Sequence, residues 1–374
     1  MRLVLTHPYC WPEVRRGTER NVDIMLRYLA RRGHDVTLVS TRNGGAGVEK
    51  ACSTTKIFGP RLWSPLMGKM RIQPQHTFFL TALRELRRLS ADAVHAFFYS
   101  DSLAASMLRR KNPWRSILQL NGIALPGISC YRMPPEGWMI RTAIERADEF
   151  IVCSRFIQEL AMEHFGRKPI VLSPPLEMEN WPCGNGPPDG RPTLLAVADF
   201  EVRRKGVRVL VRAFDKVKRE LPSAVLRLSG RISAQTISEI TAPLPDAAKR
   251  DIEFLGLGMT TDLPCLYQEA SIMVLPSMWE PSGGAVFEAL ASGTPVVATR
   301  HGGLPEGLTP ETGVLFDPKT EGEETSNVDG LTEAILSALR LSSQSGIRQK
   351  CRDHAARYST DVLGPILEEI YARS

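Results

Sequence analysis

Two carboxylates eight residues apart, Glu280 and Glu288, bracket the string Glu280-Pro-Ser-Gly-Gly-Ala-Val-Phe-Glu288. Pro-Ser-Gly-Gly favours a turn, and Ala285–Ala291 has good helix propensity. Val296-Val-Ala then reads as a buried strand after Gly-Thr-Pro. The unit is therefore loop, helix, turn, strand. A helix N-terminus presents free backbone N–H groups and the positive end of its dipole, a ready site for phosphate and for sugar hydroxyls. Glu280, just ahead of the helix, can accept hydrogen bonds from a sugar. Glu288, one to two turns in, can accept from another part of the same elongated ligand. A bare glutamate pair is more often a surface feature. Ser292-Gly-Thr-Pro-Val-Val-Ala and Gly302-Gly-Leu-Pro-Glu306 make this string far more specific.

The elements that must position such a site follow from patterning. Leu3–Thr6, Val36–Ser40, Ala93–Phe98, Ser116–Leu120 and Phe150–Cys153 read as strands. Thr18–Arg32 and Leu80–Leu89 carry apolar residues at helical spacing, with Val22, Met25, Leu26, Leu29 and Ala30 forming one stripe closed by Gly33. Ser173-Pro-Pro and Trp181–Pro192 are dense in Pro and Gly and read as a linker. Alternation then restarts with a strand at Thr193–Val197, a helix near Val207–Glu220, and strands at Ala224–Ser229, Glu253–Leu255, Ile272–Leu275 and Val296–Ala298. The expectation is α/β: two Rossmann-like doubly wound domains, with ligands at the carboxyl ends of the strands, facing across a cleft. The boundaries are 1–173, a linker at 174–192, and 193–360. An amphipathic C-terminal stripe runs through Val362, Leu363, Ile366, Leu367 and Ile370.

Composition sets outer limits. At 374 residues, 43% hydrophobic and 24% charged, the chain is of globular type and long enough for two domains. It has no apolar run of membrane-spanning length, and its N-terminal apolar stretch is too short for a secretory signal. Seven scattered cysteines without a C-x-x-C pair argue against a disulfide framework or zinc site and for reduced thiols in the cytoplasm. Residues 1–170 hold 26 Lys/Arg against 14 Asp/Glu, a net of +12, while residues 171–374 hold 21 against 27, a net of −6. The basic half can steer anionic partners. A nucleic-acid role lacks any aromatic-plus-basic string or zinc pattern to support it. Arg61–Ile72 mixes basic and large apolar residues, a composition suited to peripheral contact with an anionic membrane or to a mobile loop near an acceptor.

The 270–306 stretch resembles the donor site of the retaining nucleotide-sugar glycosyltransferases of family 4, which carry Glu-x7-Glu in a Glu-Pro-x-Gly context. The resemblance implies a GT-B architecture, with the last helix, about 361–374, packing back on the first domain. It implies transfer of a sugar from a nucleotide-diphosphate donor to a hydroxyl of a glycan, glycolipid or small molecule, with retained anomeric configuration. Glu280 would anchor donor sugar hydroxyls, the backbone of Ser282, Gly283, Gly284, Ala285 and Val286 would hold sugar and diphosphate, and Glu288 would bind ribose. Lys205, helped by Arg204, would stabilise the departing diphosphate, and Gly17 and Asn121 would line the site from the first domain.

The chain departs from the family pattern at several positions. Arg16 stands where the family has the first glycine of a pair. Asp199 stands at the family's arginine position six residues before Lys205, leaving Arg203 or Arg204 to supply the charge. Asn121 stands at a His-Gly turn and cannot carry a proton. His95 matches a family Asp-x-Val-His but reads first as a structural histidine. No Asp-x-Asp occurs, so neither metal nor other cofactor is expected. The other readings are an epimerase or hydrolase on the same fold and a non-catalytic binding protein.

Overall fold

The computed structural model describes residues 1–62, 65–69, 72–109, 112–122, 136–256, 263–321 and 324–373. Two compact units divide the chain, one formed by Met1–Leu176 with Thr360–Ser374 and the other by Glu177–Ser359. Residues 174–176 thus belong to the first and 177–192 to the second.

The first unit carries an eight-stranded sheet built from β1 (Arg2–Thr6), β2 (Asp35–Arg42), β3 (Gly47–Ala51), β4 (Thr54–Pro60), β5 (Ala93–Ala96), β6 (Arg115–Leu120), β7 (Glu149–Val152) and β8 (Ile170–Val171). The order is β3-β4-β2-β1-β5-β6-β7-β8. All pairs are parallel except β3 with β4. Its helices are α1 (Gly17–Arg31), α2 (Pro65–Lys69), α3 (Pro74–Leu86), α4 (Tyr99–Leu108), α5 (Glu136–Arg146) and α6 (Arg155–Phe165). The central strands are apolar on both faces because helices cover both. Leu3 and Leu5 pack with Met25 and Leu29 of α1, while Val4 and Val94 pack with Phe78 and Leu86 of α3.

The second unit has β9 (Thr193–Val197), β10 (Val225–Ser229), β11 (Ile252–Gly256), β12 (Ile272–Leu275), β13 (Val296–Thr299) and β14 (Gly313–Phe316), with a short hairpin of β15 (Thr320–Glu321) and β16 (Glu324–Thr325). Its six-stranded sheet runs β11-β10-β9-β12-β13-β14, all parallel. Helices α7 (Val207–Glu220), α8 (Ala234–Thr241), α9 (Asp246–Arg250), α10 (Leu263–Glu269), α11 (Gly284–Ala291), α12 (Val328–Ser342) and α13 (Ile347–Ala355) accompany it. Strand order reverses between β1 and β5 in one sheet and between β9 and β12 in the other. Crevices open at such switch points.

One sequence expectation needs correction, and one hairpin is new. After a turn at residues 43–46, Gly47 opens the β3–β4 edge hairpin. Residues Val48–Ala51 are exposed, so no buried alternation announces that strand. Helix α14 (Thr360–Ala372) does pack in the first unit, but on a rotated face. Leu367, Ile370 and Tyr371 are buried, whereas Val362 and Ile366 are exposed. The reason is Gly364, where a Cβ would stand 2.1 Å from the Tyr28 ring. The close approach of the backbone there turns the helix onto its glycine side.

Candidate active site

In the second unit the site grows from the loops after β9 and β12, the two strands flanking the reversal. After β9 the chain makes a single 3-10 turn, Arg203–Lys205, ended by Gly206 with φ +72°. A Cβ at Gly206 would stand 2.2 Å from the Pro276 carbonyl oxygen. Only glycine fits both the left-handed backbone and that approach. The Met278 amide donates to the Arg204 carbonyl at 2.7 Å, binding the two loops together.

This junction sets Lys205 against Glu280. The Lys205 Nζ lies 2.5 Å from Glu280 Oε1, and Arg204 Nη1 lies 3.4 Å from the same oxygen. Arg204 Nη1 also donates to the Trp279 carbonyl at 2.8 Å, and its guanidinium stacks 4.9 Å from the Trp279 ring. Glu280 is only 7% exposed. Burial acts to raise its carboxyl, but the charges of Lys205 and Arg204, with the Lys205 hydrogen bond, hold it below the ordinary value. A buried carboxylate held ionised by two cations can accept hydrogen bonds from sugar hydroxyls, and the cations remain next to whatever anion the site admits.

Behind Glu280 the chain is wedged against Gly302 and Gly303. The Gly303 amide donates to the Glu280 carbonyl at 2.8 Å. A Cβ on Gly303 would come 2.1 Å from the Pro281 carbonyl oxygen. The route then passes Ser282 and turns through Gly283, at φ +71°, into α11. The Val286 amide donates back to the Gly283 carbonyl at 2.7 Å, so the leading amides are those of Gly284 and Ala285, which precede any intrahelical acceptor. A Cβ on Gly284 would meet nothing within 4 Å, so the backbone there is open to a close-approaching group.

Helix α11 is buried from Val286 to Ala291, and Glu288 is its one charged residue. Its carboxylate, 9% exposed, accepts a hydrogen bond from the Tyr267 hydroxyl at 3.2 Å. Tyr267 is itself fully buried, with its ring edge-on to Trp181. Glu280 and Glu288 are thus both fixed around one helix start.

Asp199, at the family's arginine position, faces a cation. Arg231, just past β10, grips it with Nε to Oδ1 at 3.1 Å and Nη2 to Oδ2 at 2.7 Å. Sequence reasoning missed this arginine. It also missed Trp279 and Tyr267. The available signals were a Ser-Gly-Arg at a strand end and an aromatic beside Glu280.

In the first unit, Gly17 opens α1 and carries neither a left-handed φ nor a crowded Cβ. The preceding Arg16 stacks on the Tyr9 ring at 4.7 Å and binds Glu19 at 2.6 Å, while Arg61 stacks at 5.0 Å from the same ring. Asn121 Oδ1 accepts from Gln119 Nε2 at 2.9 Å. His95 is buried, with Nδ1 2.7 Å from the Tyr371 hydroxyl of α14, and burial pushes its pKa down to about 3. It is a neutral structural group. Asp101, unremarked in the sequence, is fully buried at the start of α4, takes a hydrogen bond from Thr6 Oγ1 at 2.6 Å, and is pushed up to about 8 by burial. Residues 123–135, and parts of Arg61–Ile72, lie outside the described residues. Among the described residues no cluster of His, Cys, Asp and Glu suited to a metal occurs, and no helix is long and apolar enough to cross a membrane.

Two doubly wound units and a carboxylate-lysine pair at a strand reversal define a class of ligand-binding α/β enzymes. The comparisons narrow it. The model for Glycosyltransferase Family 4 matches residues 15–176, and that for Glycosyl transferases group 1 matches residues 191–340. The chain belongs to this GT-B glycosyltransferase family and is an enzyme of that kind. It is 26% identical to glycogen synthase of Mycobacterium tuberculosis over 96% of this chain and 91% of that one. Its fold is similar to sucrose-phosphate synthase from Thermosynechococcus elongatus, with a TM-score of 0.81 and 20% identity over 99% of this chain and 98% of that one. It is similar also to Anabaena HepE, solved in complex with UDP-glucose, with a TM-score of 0.70 and 16% identity over the full length of both.

Proposed function

We propose that this glycosyltransferase takes a sugar from a nucleotide-diphosphate donor and transfers it to an acceptor hydroxyl with retention of anomeric configuration. The observation that carries the reading is the Lys205–Glu280 pair set immediately before the open amides of Gly284 and Ala285. That arrangement offers one anchor for sugar hydroxyls and a cationic, amide-lined seat for the diphosphate. The neighbour HepE, solved with UDP-glucose, supports a nucleotide-sugar donor.

In this reading the acceptor oxygen bonds to the sugar C1 as the bond from C1 to the diphosphate oxygen breaks, and the hydroxyl proton of the acceptor passes to that departing oxygen. The charge left on the diphosphate is met by Lys205, Arg204 and the α11 amides. Glu280 holds the sugar, Glu288 the ribose, and Ser282 and Gly283 shape the turn between them. Gly17 is a donor-binding residue and Asn121 a catalytic one in this reading, as the family resemblance implies. No metal takes part. The scattered cysteine positions, with no C-x-x-C pair, support a reducing, cytoplasmic setting. Exposed Leu62 and Leu66 in the basic half support peripheral contact with anionic lipid.

The test is incubation with a panel of nucleotide sugars, with and without glycan and polyol acceptors, in chelator. Acceptor-dependent release of nucleoside diphosphate is expected, with proton NMR showing the donor's anomeric configuration in the product. Donor conversion of equal rate without acceptor assigns a hydrolase or epimerase instead.

A further inference from the structure

The donor reading leaves a conflict of charge. Asp199 sits at the carboxyl end of β9, next to the strand reversal, where an anionic diphosphate would meet it. A lone carboxylate there would repel the ligand. Arg204 and Lys205 both lie on Glu280, which offsets one of their two charges and leaves the cluster a single net positive charge for a diphosphate.

The structure resolves the conflict with Arg231. β9 and β10 are parallel neighbours, with Val197 opposite Ser229. Beyond their ends the pairing continues, as Ala198 N–H donates to the Ser229 carbonyl at 3.2 Å and Phe200 N–H to the Arg231 carbonyl at 2.9 Å. Gly230 makes this possible. Its φ is +148°, and a Cβ would stand 1.8 Å from the Ala198 carbonyl oxygen. Asp199 is fixed from its own side as well, accepting from the Glu201 amide at 3.2 Å. Glu201 in turn accepts from the Ser233 amide at 2.6 Å and from Thr236 Oγ1 at 3.1 Å at the start of α8. The approach of the two residues is therefore built into the backbone.

A guanidinium has five N–H donors in a rigid plane. Arg231 spends one edge, Nε and Nη2, on Asp199. Its remaining donors project away from that carboxylate, and the side chain is 59% exposed. An arginine anchored on one edge and open on the other suits the planar, bidentate recognition of phosphate.

We infer that Arg231, oriented by Asp199, is a diphosphate-binding residue of the donor site, supplying from the end of β10 the guanidinium that the end of β9 lacks. The inference rests on the donor reading above. Asp199 is then the positioning residue of a relocated cation. Exposed ion pairs contribute little to folding, so removing this one leaves the unit intact.

Isothermal titration of the full chain with UDP, ADP and GDP, and with the matching nucleosides, tests this for the wild type, Arg231→Ala and Arg231→Lys. Arg231→Ala is expected to weaken the preferred nucleoside diphosphate by about tenfold or more, the scale of one hydrogen bond to a charged group, with nucleoside affinity unchanged. Arg231→Lys is expected to retain more of the affinity than alanine does. Diphosphate affinity within twofold of wild type in Arg231→Ala overturns the inference and leaves the donor reading standing, as does an equal loss for the bare nucleoside. A wild type that binds none of the three nucleoside diphosphates sinks the donor reading and this inference together.

Discussion

Lys205 and Glu280, 75 residues apart in the chain, form an ion pair of 2.5 Å where the loops after β9 and β12 meet. Neither residue is explained by its own loop. The lysine ends a 3-10 turn stopped by Gly206, and the glutamate is buried in the following loop beside Trp279. Lys205→Ala leaves Glu280 buried with Arg204, at 3.4 Å, as its remaining cation among the described residues. Turnover of the nucleotide sugar is expected to fall by about a hundredfold, the scale of one lost electrostatic donor at a reacting centre. Stability is also expected to become less acid-sensitive. Glu280's folded-state carboxyl lies below its ordinary value, so it contributes stability above the unfolded pKa and loses it as pH falls through the folded value. Without Lys205 burial lifts the folded-state carboxyl toward or above its unfolded value, so this loss shrinks and the variant's deficit against wild type is largest at neutral pH and narrows on acidification, which thermal melts from pH 7 downward would show.

Gly303 tests whether the backbone position of Glu280 matters apart from its charge. Its φ of −80° suits any residue, so the substitution is purely steric. Gly303→Ala places a methyl 2.1 Å from the Pro281 carbonyl oxygen and must displace the 280–284 loop. A destabilisation of about 1–3 kcal/mol is expected, the cost typical of overpacking. A drop in kcat/KM of at least tenfold should accompany it. Wild-type activity in a well-folded variant would show that the loop tolerates movement.

Glu288 is the single charge of a buried helix, bonded by Tyr267. Glu288→Ala is expected to diminish the rise in melting temperature produced by the donor, because a bound ligand stabilises the fold in proportion to its affinity. An undiminished shift would remove the ribose role.

Asp101 gives a pH signature in the first unit. Burial pushes its carboxyl up to about 8, against about 3.9 for an unfolded aspartate. Between those values the folded state holds a proton that the unfolded state has released, so stability falls as pH rises. Asp101→Asn should flatten that slope and raise the melting temperature at pH 8 more than at pH 4. A parallel pH profile in both proteins would contradict the assignment.

Tyr371 ties α14 to the sheet through His95. Tyr371→Phe leaves the buried Nδ1 without its partner, and a loss of about 1–3 kcal/mol in urea denaturation is expected. No change would mean that the imidazole finds another partner.

The sequence was most legible where the pattern is local. Buried parallel strands such as Leu3–Thr6 and Val296–Thr299 read as apolar runs because both faces are covered. The glycines and the glutamate pair of 280–288 announced a loop feeding a helix, since turn preference and helix propensity act within a few residues. The edge hairpin at Gly47–Pro60 was not legible, because an exposed strand carries no periodic burial. The buried face of α14 was misjudged because Gly364, a residue without a side chain, selects it by letting Tyr28 come close.

What the amino-acid order alone determined was the alternation of strand and helix, the two-part architecture and the identity of the carboxylates and cations available to a donor site. Only the tertiary structure decided their pairing. It placed Lys205 on Glu280, gave Asp199 to Arg231, and turned Tyr267 toward Glu288. The reason is physical. Propensity and hydrophobic spacing act over one or two turns of chain, whereas an ion pair between strand-end loops depends on strand order and on glycines that let separate backbones touch.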